Sequence, residues 1–281
     1  MKKFFYSLVL STFLFACTSR ETPVDPVQSD AHYRLGVEFA QYSMFKNSLE
    51  EFDLAIKYNP ENEKAYRKKG VILFGMKEYD LAKKEFEHAL DLDPGNVQIH
   101  INLGLVHYSK GDKQLALELW EKAIALKDDG NHAKAYNNIG NLYKEQKEYD
   151  KAISYYRNAS AQKPRNAMYL SNLADIHRLQ GNFSDAEETL GGAIQSNPKA
   201  MLAHFTLGRV FKDQKKYDQA ILSFQQSLRI NPNLTDSYLH MAEIYLIKKD
   251  ADSARKTIEQ ALKSQPSNPK YKEFYFKIPA S

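Results

Sequence analysis

Between Ser29 and Asn268 the apolar and polar positions follow one pattern that returns seven times with a period of 34 residues. Within each period the apolar residues recur three and four apart, which predicts pairs of helices stacked one after another. A proline closes six of the seven units, at Pro60, Pro94, Pro164, Pro198, Pro232 and Pro266. Inside the first helix of each unit stands a residue with almost no side chain: Gly36, Gly70, Gly104, Gly140, Ala174, Gly208 and Ala242. A helical glycine costs about 1 kcal/mol against alanine, so its return predicts a crossing that leaves no room for a Cβ. A second small position follows, Ser48, Ala82, Ala116, Ala152, Ala186, Ala220 and Ala254. Four residues later comes a bulky one, Phe52, Phe86, Trp120, Tyr156, Leu190, Phe224 and Ile258, which fills the gap beside them.

These small, bulky and proline positions resemble the tetratricopeptide repeat family across residues 29–268 of 281. The resemblance implies an all-α, right-handed solenoid of seven helix-turn-helix repeats, at 29–62, 63–96, 97–130, 133–166, 167–200, 201–234 and 235–268. Only Asn131 and His132 fall outside that register. Each repeat buries its apolar face only against its neighbours, so a single solenoid domain is expected. The third unit has Lys113 where an aromatic is usual and Asp128 in place of proline, which predicts a looser turn from Asp128 to His132. Residues 269–281 are read as a capping helix and tail. Tyr271, Phe274, Tyr275 and Ile278 share one face of Pro269–Ile278 and Phe276 falls off it; a docking site for a partner is the alternative. Gly191 and Gly192 predict a local weak point in the fifth unit.

The front of the chain is different in kind. Two lysines, an apolar run from Phe4 to Phe15, then Ala16 and Cys17 read as a secretory signal over residues 1–16. The run is too short to cross a bilayer, which takes roughly 20 residues. Leu14, Phe15, Ala16 and Cys17 resemble a bacterial lipobox, which implies that Cys17 is lipidated. An ordinary cleaved signal peptide is the alternative, disfavoured because Leu14 is too large for a small-x-small site. Cys17 is the sole cysteine, so an exported chain has no disulfide to form. Thr18 and Ser19 lack the aspartate that such lipoproteins use for inner-membrane retention, which points to the outer membrane, facing the periplasm. With Pro23 and Pro26 among polar residues, 17–28 reads as the lipidated cysteine and a flexible tether.

The formal charge of +4 drops to +2 once Lys2 and Lys3 leave with the signal, which is no nucleic-acid footprint. Charges of both signs alternate on the outer faces, as at Lys77, Glu78, Lys83 and Glu87. No phosphate-binding loop, HExxH motif or nucleophile elbow is present, so no catalytic residue, cofactor, metal or small-molecule substrate is expected. His100 and His107 are the one pair considered as metal ligands, and they lack a third ligand nearby.

In this family the first helices line a concave groove, and the resemblance turns Val37, Val71, Phe74, Ile101, Leu105 and Tyr108 inward as an apolar stripe. Such a patch marks a partner site or the contact between neighbouring first helices. Asn102, Asn138 and Asn172 stand at one position of three successive units, with Asn137 and Asn141 beside the middle one. An amide offers an acceptor and two donors and so can hold an extended peptide backbone, or it ties adjacent helices together. The carboxylate clamp of some relatives is incomplete, with Asn141 and Asn172 matching but Asn137 and Thr206 in place of basic residues. Arg178, Arg209 and Lys212, with Phe205 between them, favour an acidic segment unless Asp175 and Asp213 neutralise them. These residues describe a lipid-anchored periplasmic scaffold, with no nucleic-acid partner, that binds a peptide segment of an envelope protein. The layout, and the two-residue insertion before Ala133, resemble lipoproteins that pilot type IV pilus secretin assembly. An adaptor for cell-wall hydrolases or outer-membrane assembly factors is the alternative, and an enzyme with a groove site is a remoter one.

Overall fold

The computed structural model describes residues 24–127 and 132–279. The segment expected as a signal, Cys17 and residues 128–131, where a looser turn is expected, lie outside them. One compact unit holds α1 (Pro26–Gln41), α2 (Phe45–Tyr58), α3 (Glu63–Gly75) and α4 (Tyr79–Leu92). The other holds α5 (Val97–Ser109), α6 (Lys113–Ala125), α7 (Ala133–Glu145), α8 (Tyr149–Gln162), α9 (Ala167–Leu179), α10 (Phe183–Ser196), α11 (Met201–Asp213), α12 (Tyr217–Ile230), α13 (Asp236–Ile247), α14 (Ala251–Ser264) and α15 (Pro269–Phe276). Among the described residues there is no strand. Within each unit every helix packs on the next one in sequence, and the fold is an all-α repeat of the solenoid class.

The turn inside each pair has one recurring conformation. Ser43, Lys77, Lys147, Lys215 and Lys249 adopt φ between 59° and 66°, and Gly111 and Gly181 take φ of 90° and 79°. The residue after each of these donates its N–H to the carbonyl five residues back, as from Glu78 to Leu73 at 2.9 Å and from Asn182 to His177 at 2.8 Å. That bond closes the first helix, and it needs a left-handed residue before it. The unit-final prolines end the second helices: Asn59, Asn197 and Asn231, each just before one, are extended, as the proline ring requires of its predecessor.

The recurrent glycines have a specific reason. A Cβ on Gly36, Gly70, Gly104, Gly140 or Gly208 would stand 2.4 to 2.7 Å from a ring atom of Phe52, Phe86, Trp120, Tyr156 or Phe224 respectively. The bulky residue of the second helix therefore lies directly on the glycine of the first, and both are buried. Gly70→Leu is expected to overpack Phe86 and to cost about 1 to 3 kcal/mol, read as a lower thermal midpoint by circular dichroism. A midpoint equal to that of the native protein would mean that the Phe86 ring has room to move away.

Each end of the repeats is closed locally. Residues 26–28, expected to belong to a tether, are helical: α1 begins at Pro26, because the Asp25 carboxylate accepts from the N–H groups of Val27 and Gln28 at 3.1 and 3.0 Å. A proline in the first turn of a capped helix starts it rather than extending the chain. At the other end α15 lies on α14. Tyr271 and Ile278 are buried there, Phe274 and Tyr275 are partly buried in the same cluster, and Phe276 is 80% exposed. The Tyr271 hydroxyl lies 2.7 Å from Thr235 Oγ1, and Arg255 donates to the Pro279 carbonyl at 2.9 Å.

Candidate peptide-binding face

In the second unit the first helices α5, α7, α9, α11 and α13 are joined in series by polar side chains. Lys134 of α7 donates to Gln98 of α5, and Tyr108 of α5 donates to Glu145 of α7 at 2.8 Å. Asn172 of α9 donates to Asn137 of α7 at 2.7 Å, and Lys144 of α7 donates to Asp175 of α9 at 2.7 Å. Arg178 reaches Asp213, and Lys212 of α11 reaches Glu243 of α13. The face expected to be wet is thus already bonded along much of its length.

That corrects several expected roles. Ile101 is 1% exposed and packs with Val97, Trp120, Ile139 and Leu142, while its carbonyl accepts from Trp120 Nε1 at 3.1 Å; it is core, not surface. Asn137 is buried by its bond to Asn172, and Asn141 accepts from the Tyr156 hydroxyl at 2.6 Å. These three amides tie helices together. Asn102 and Asn138 are half-buried, and neither side chain has a hydrogen bond among the described residues. Leu105 is half-buried beside Trp120's cluster. The Tyr108 hydroxyl is pushed up to about 12, by burial first and by the Glu145 carboxylate after it. Val71 and Phe74 belong to the first unit: Val71 is 43% exposed and the Phe74 ring lies 5.6 Å from Tyr79.

The arginines are not open to an acidic segment. Asp175 is 4% exposed and receives Arg178 Nε at 2.9 Å, Arg209 Nη1 at 3.0 Å and Lys144 Nζ at 2.7 Å. Burial pushes its carboxyl upward, but the charges of Arg209, Lys144 and Arg178 outweigh that and hold it below the usual range. Phe205 packs under the Arg209 guanidinium and against the rings of Phe224 and His240. His240 Nδ1 lies 3.0 Å from Glu243. Glu243 is brought down to about 2: burial opposes ionisation, and the hydrogen bonds from His240 and Lys212 win. A depressed carboxylate stabilises above its ordinary value and loses that contribution as pH falls through its folded value. The native protein is therefore expected to lose melting temperature between pH 4.5 and pH 2, and Glu243→Gln to flatten that descent. Parallel acid profiles for the two proteins would remove Glu243 from the account.

Three histidines brace turns. His100 Nε2 lies 3.0 Å from the Pro94 carbonyl, His204 Nε2 3.0 Å from that of Pro198 and His132 Nε2 3.0 Å from that of Leu126. Each ring reaches back six residues to brace the turn before its helix. Among the described residues no three His, Cys, Asp or Glu side chains gather as a metal site. A feature missed in the sequence is Lys69, which bonds Asp53 at 2.7 Å and Glu85 at 2.9 Å. Its signal was a lysine at the register position that Leu103 and Ile139 occupy in the next two repeats.

Tetratricopeptide repeat models match residues 63–96, 96–161, 131–198, 172–235 and 212–276. The chain belongs to the tetratricopeptide repeat family. Solved structures similar to this repeat protein include the APC/C hetero-tetramer Cut9–Hcn1, at TM-score 0.68 and 17% identity over 91% of this chain. The chain spans 48% of that one's length. A tetratricopeptide repeat protein from Parabacteroides merdae matches at TM-score 0.68 and 15% identity, over 89% of this chain and 98% of that one. Pseudomonas aeruginosa pilF matches at TM-score 0.61 and 23% identity, over 78% and 98%. At these identities the likeness is one of fold. No curated protein matches the repeat protein in sequence. Repeat stacks of this kind are scaffolds for protein partners, and no helix among the described residues is long and apolar enough to cross a membrane.

Proposed function

We propose that this tetratricopeptide repeat protein is a lipid-anchored periplasmic scaffold that holds an extended segment of an envelope protein on the face of α5 and α7. The observation that carries the reading is the pair Asn102 and Asn138, equivalent in successive repeats, half-buried and without hydrogen-bond partners among the described residues. Their polar atoms reach the solvent, so each amide is free to hold a partner's backbone N–H and C=O. Leu105 beside them offers an apolar contact for an alternate side chain of the segment. The charged stretch from Asp175 to Glu243 is satisfied internally and takes the role of support.

The lipobox resemblance puts the anchor on Cys17. Incorporation of labelled palmitate by the native chain and its loss in Cys17→Ala is the expected result; equal labelling would move or remove the anchor. Assistance to type IV pilus or secretin assembly is the partner reading that the sequence layout favours, and an adaptor role towards cell-wall hydrolases or outer-membrane assembly factors is the second.

The test is capture from detergent-solubilised envelopes with the native protein and with Asn102→Ala/Asn138→Ala, followed by mass spectrometry. Secretin or pilus proteins absent from the variant's catch support the first partner reading. Hydrolases or assembly factors absent from it support the second. Identical catches would place binding elsewhere than on these amides. Asn172→Ala serves as the contrast, since it cuts the bond to Asn137 and is expected to lower stability by about 1 kcal/mol.

A further inference from the structure

On the other side of the first helices, α8, α9 and α10 line an open cleft of about 550 Å³, within the roughly 300 to 1,000 Å³ of ordinary ligand sites. Its lining includes Gly192 of α10. The equivalent residues of the other repeats are Leu54, His88, Lys122, Asn158, Gln226 and Gln260. Gly191 and Gly192 are not close-approach glycines: a Cβ on either would meet nothing within 4 Å, unlike the five that lie under aromatic rings. Two consecutive helix-interior glycines weaken α10, and packing gives no reason for them. What Gly192 does is remove the side chain that would stand in the cleft.

The walls carry unsatisfied polar chemistry. His177 of α9 is 5% exposed, and its Nδ1 is buried with no hydrogen-bond partner. The Asp185 carboxylate, at 3.8 Å, is too far for a hydrogen bond. Burial holds the imidazole below its ordinary pKa, against the opposing pull of Asp185, so near neutrality the ring presents one donor and one acceptor. On α8, Arg157 has no ion pair among the described residues. Across from it α10 contributes Asp185 and Glu188, and Leu173 of α9 supplies apolar surface. A cation on one wall, carboxylates on the other and a buried imidazole and leucine between them complement a ligand of matching order.

We infer that this cleft binds a short extended peptide segment of a partner protein, with an acidic residue at Arg157, an apolar residue over Leu173 and a basic residue at Asp185 and Glu188. The His177 imidazole lies in the cleft lining beneath the segment. The site is separate from the amide face and does not depend on it.

The probe is the blocked tripeptide acetyl-Glu-Leu-Lys-amide, titrated into the full chain lacking its signal and followed by ¹H–¹⁵N NMR. Saturable shifts at Gly191, Gly192 and His177 are expected, with binding at least tenfold weaker in Gly192→Leu and in Arg157→Gln. Acetyl-Gln-Leu-Gln-amide should bind correspondingly less. Gly192→Ala controls for folding: it is expected to melt above the native protein, because alanine favours the helix and meets no neighbour. No saturable shift, shifts confined to the Asn102 and Asn138 face, or equal binding by native and Gly192→Leu proteins would overturn the proposal. Loss of envelope capture in Asn102→Ala/Asn138→Ala with tripeptide binding retained would uphold it alongside the amide face.

Discussion

Replacing Trp120 by alanine is expected to destabilise the unit from Asp93 to Ser281 by about 3 to 5 kcal/mol, the range for deleting a buried aromatic side chain. Trp120 is 1% exposed and lies where a Cβ on Gly104 would stand, 2.4 Å from its Nε1. It donates to the Ile101 carbonyl at 3.1 Å and lies against the Tyr108 ring, with centroids 5.8 Å apart. Truncation opens a void between α5 and α6 that neither helix can close without shifting against α7. Urea unfolding followed by circular dichroism measures the loss. The companion change gives the mechanism away. Gly104→Ala alone should destabilise, since its Cβ collides with the indole, whereas in the Trp120→Ala background the collision is gone and the better helix former should be neutral or favourable by up to about 1 kcal/mol. Additive effects of the two changes would show that ring and glycine do not compensate one another.

Asp175→Asn is expected to cost about 2 to 3 kcal/mol while leaving the shape of the side chain almost unchanged. Removing one member of a buried charge group costs about 3 to 5 kcal/mol because its partners stay desolvated. The figure is lowered here because Lys144 and Arg209 keep 35% and 30% of their side-chain surface in water. Arg178, at 10%, does not. The variant leaves three cations facing a neutral amide, so its stability should rise with added salt, in the direction opposite to screening of an intact pair. Arg209→Gln placed on top of it should cost much less than it does in the native chain. If Asp175→Asn unfolds at the native urea midpoint, the carboxylate is not what holds α7, α9 and α11 at this point.

Much of this architecture was legible in the residues because repetition multiplies weak signals. One glycine in a helix says little, but Gly36, Gly70, Gly104, Gly140 and Gly208 at a fixed spacing state that something large must lie on each of them. The terminal lid was legible for a similar reason, since Tyr271 and Ile278 are apolar at helical spacing beyond the last repeat. The binding face was read less well. The family register assigns Ile101 and Asn137 to the groove, yet position alone does not say how far a neighbouring helix leans over it. The Trp120 indole and α7 bury Ile101, and Asn172 engages Asn137. Likewise Arg178 and Arg209 are two cations in the sequence, and become supports only because Asp175 lies between them on an adjacent turn and an adjacent helix.

The sequence by itself determined the helix pairs and the turns within them, because period, prolines and small residues act through local backbone geometry and through contacts with the next element along the chain. Only the tertiary structure decided which polar groups are paired and which are left over. Asn137 and Asn138 are neighbours of one type, one bonded within the protein and one not. Gly104 and Gly192 are both helical glycines, one beneath an indole and one beside open space. That difference depends on distances of a few ångströms between side chains far apart in the chain, and hydrogen bonds and van der Waals contacts are made or lost over such distances.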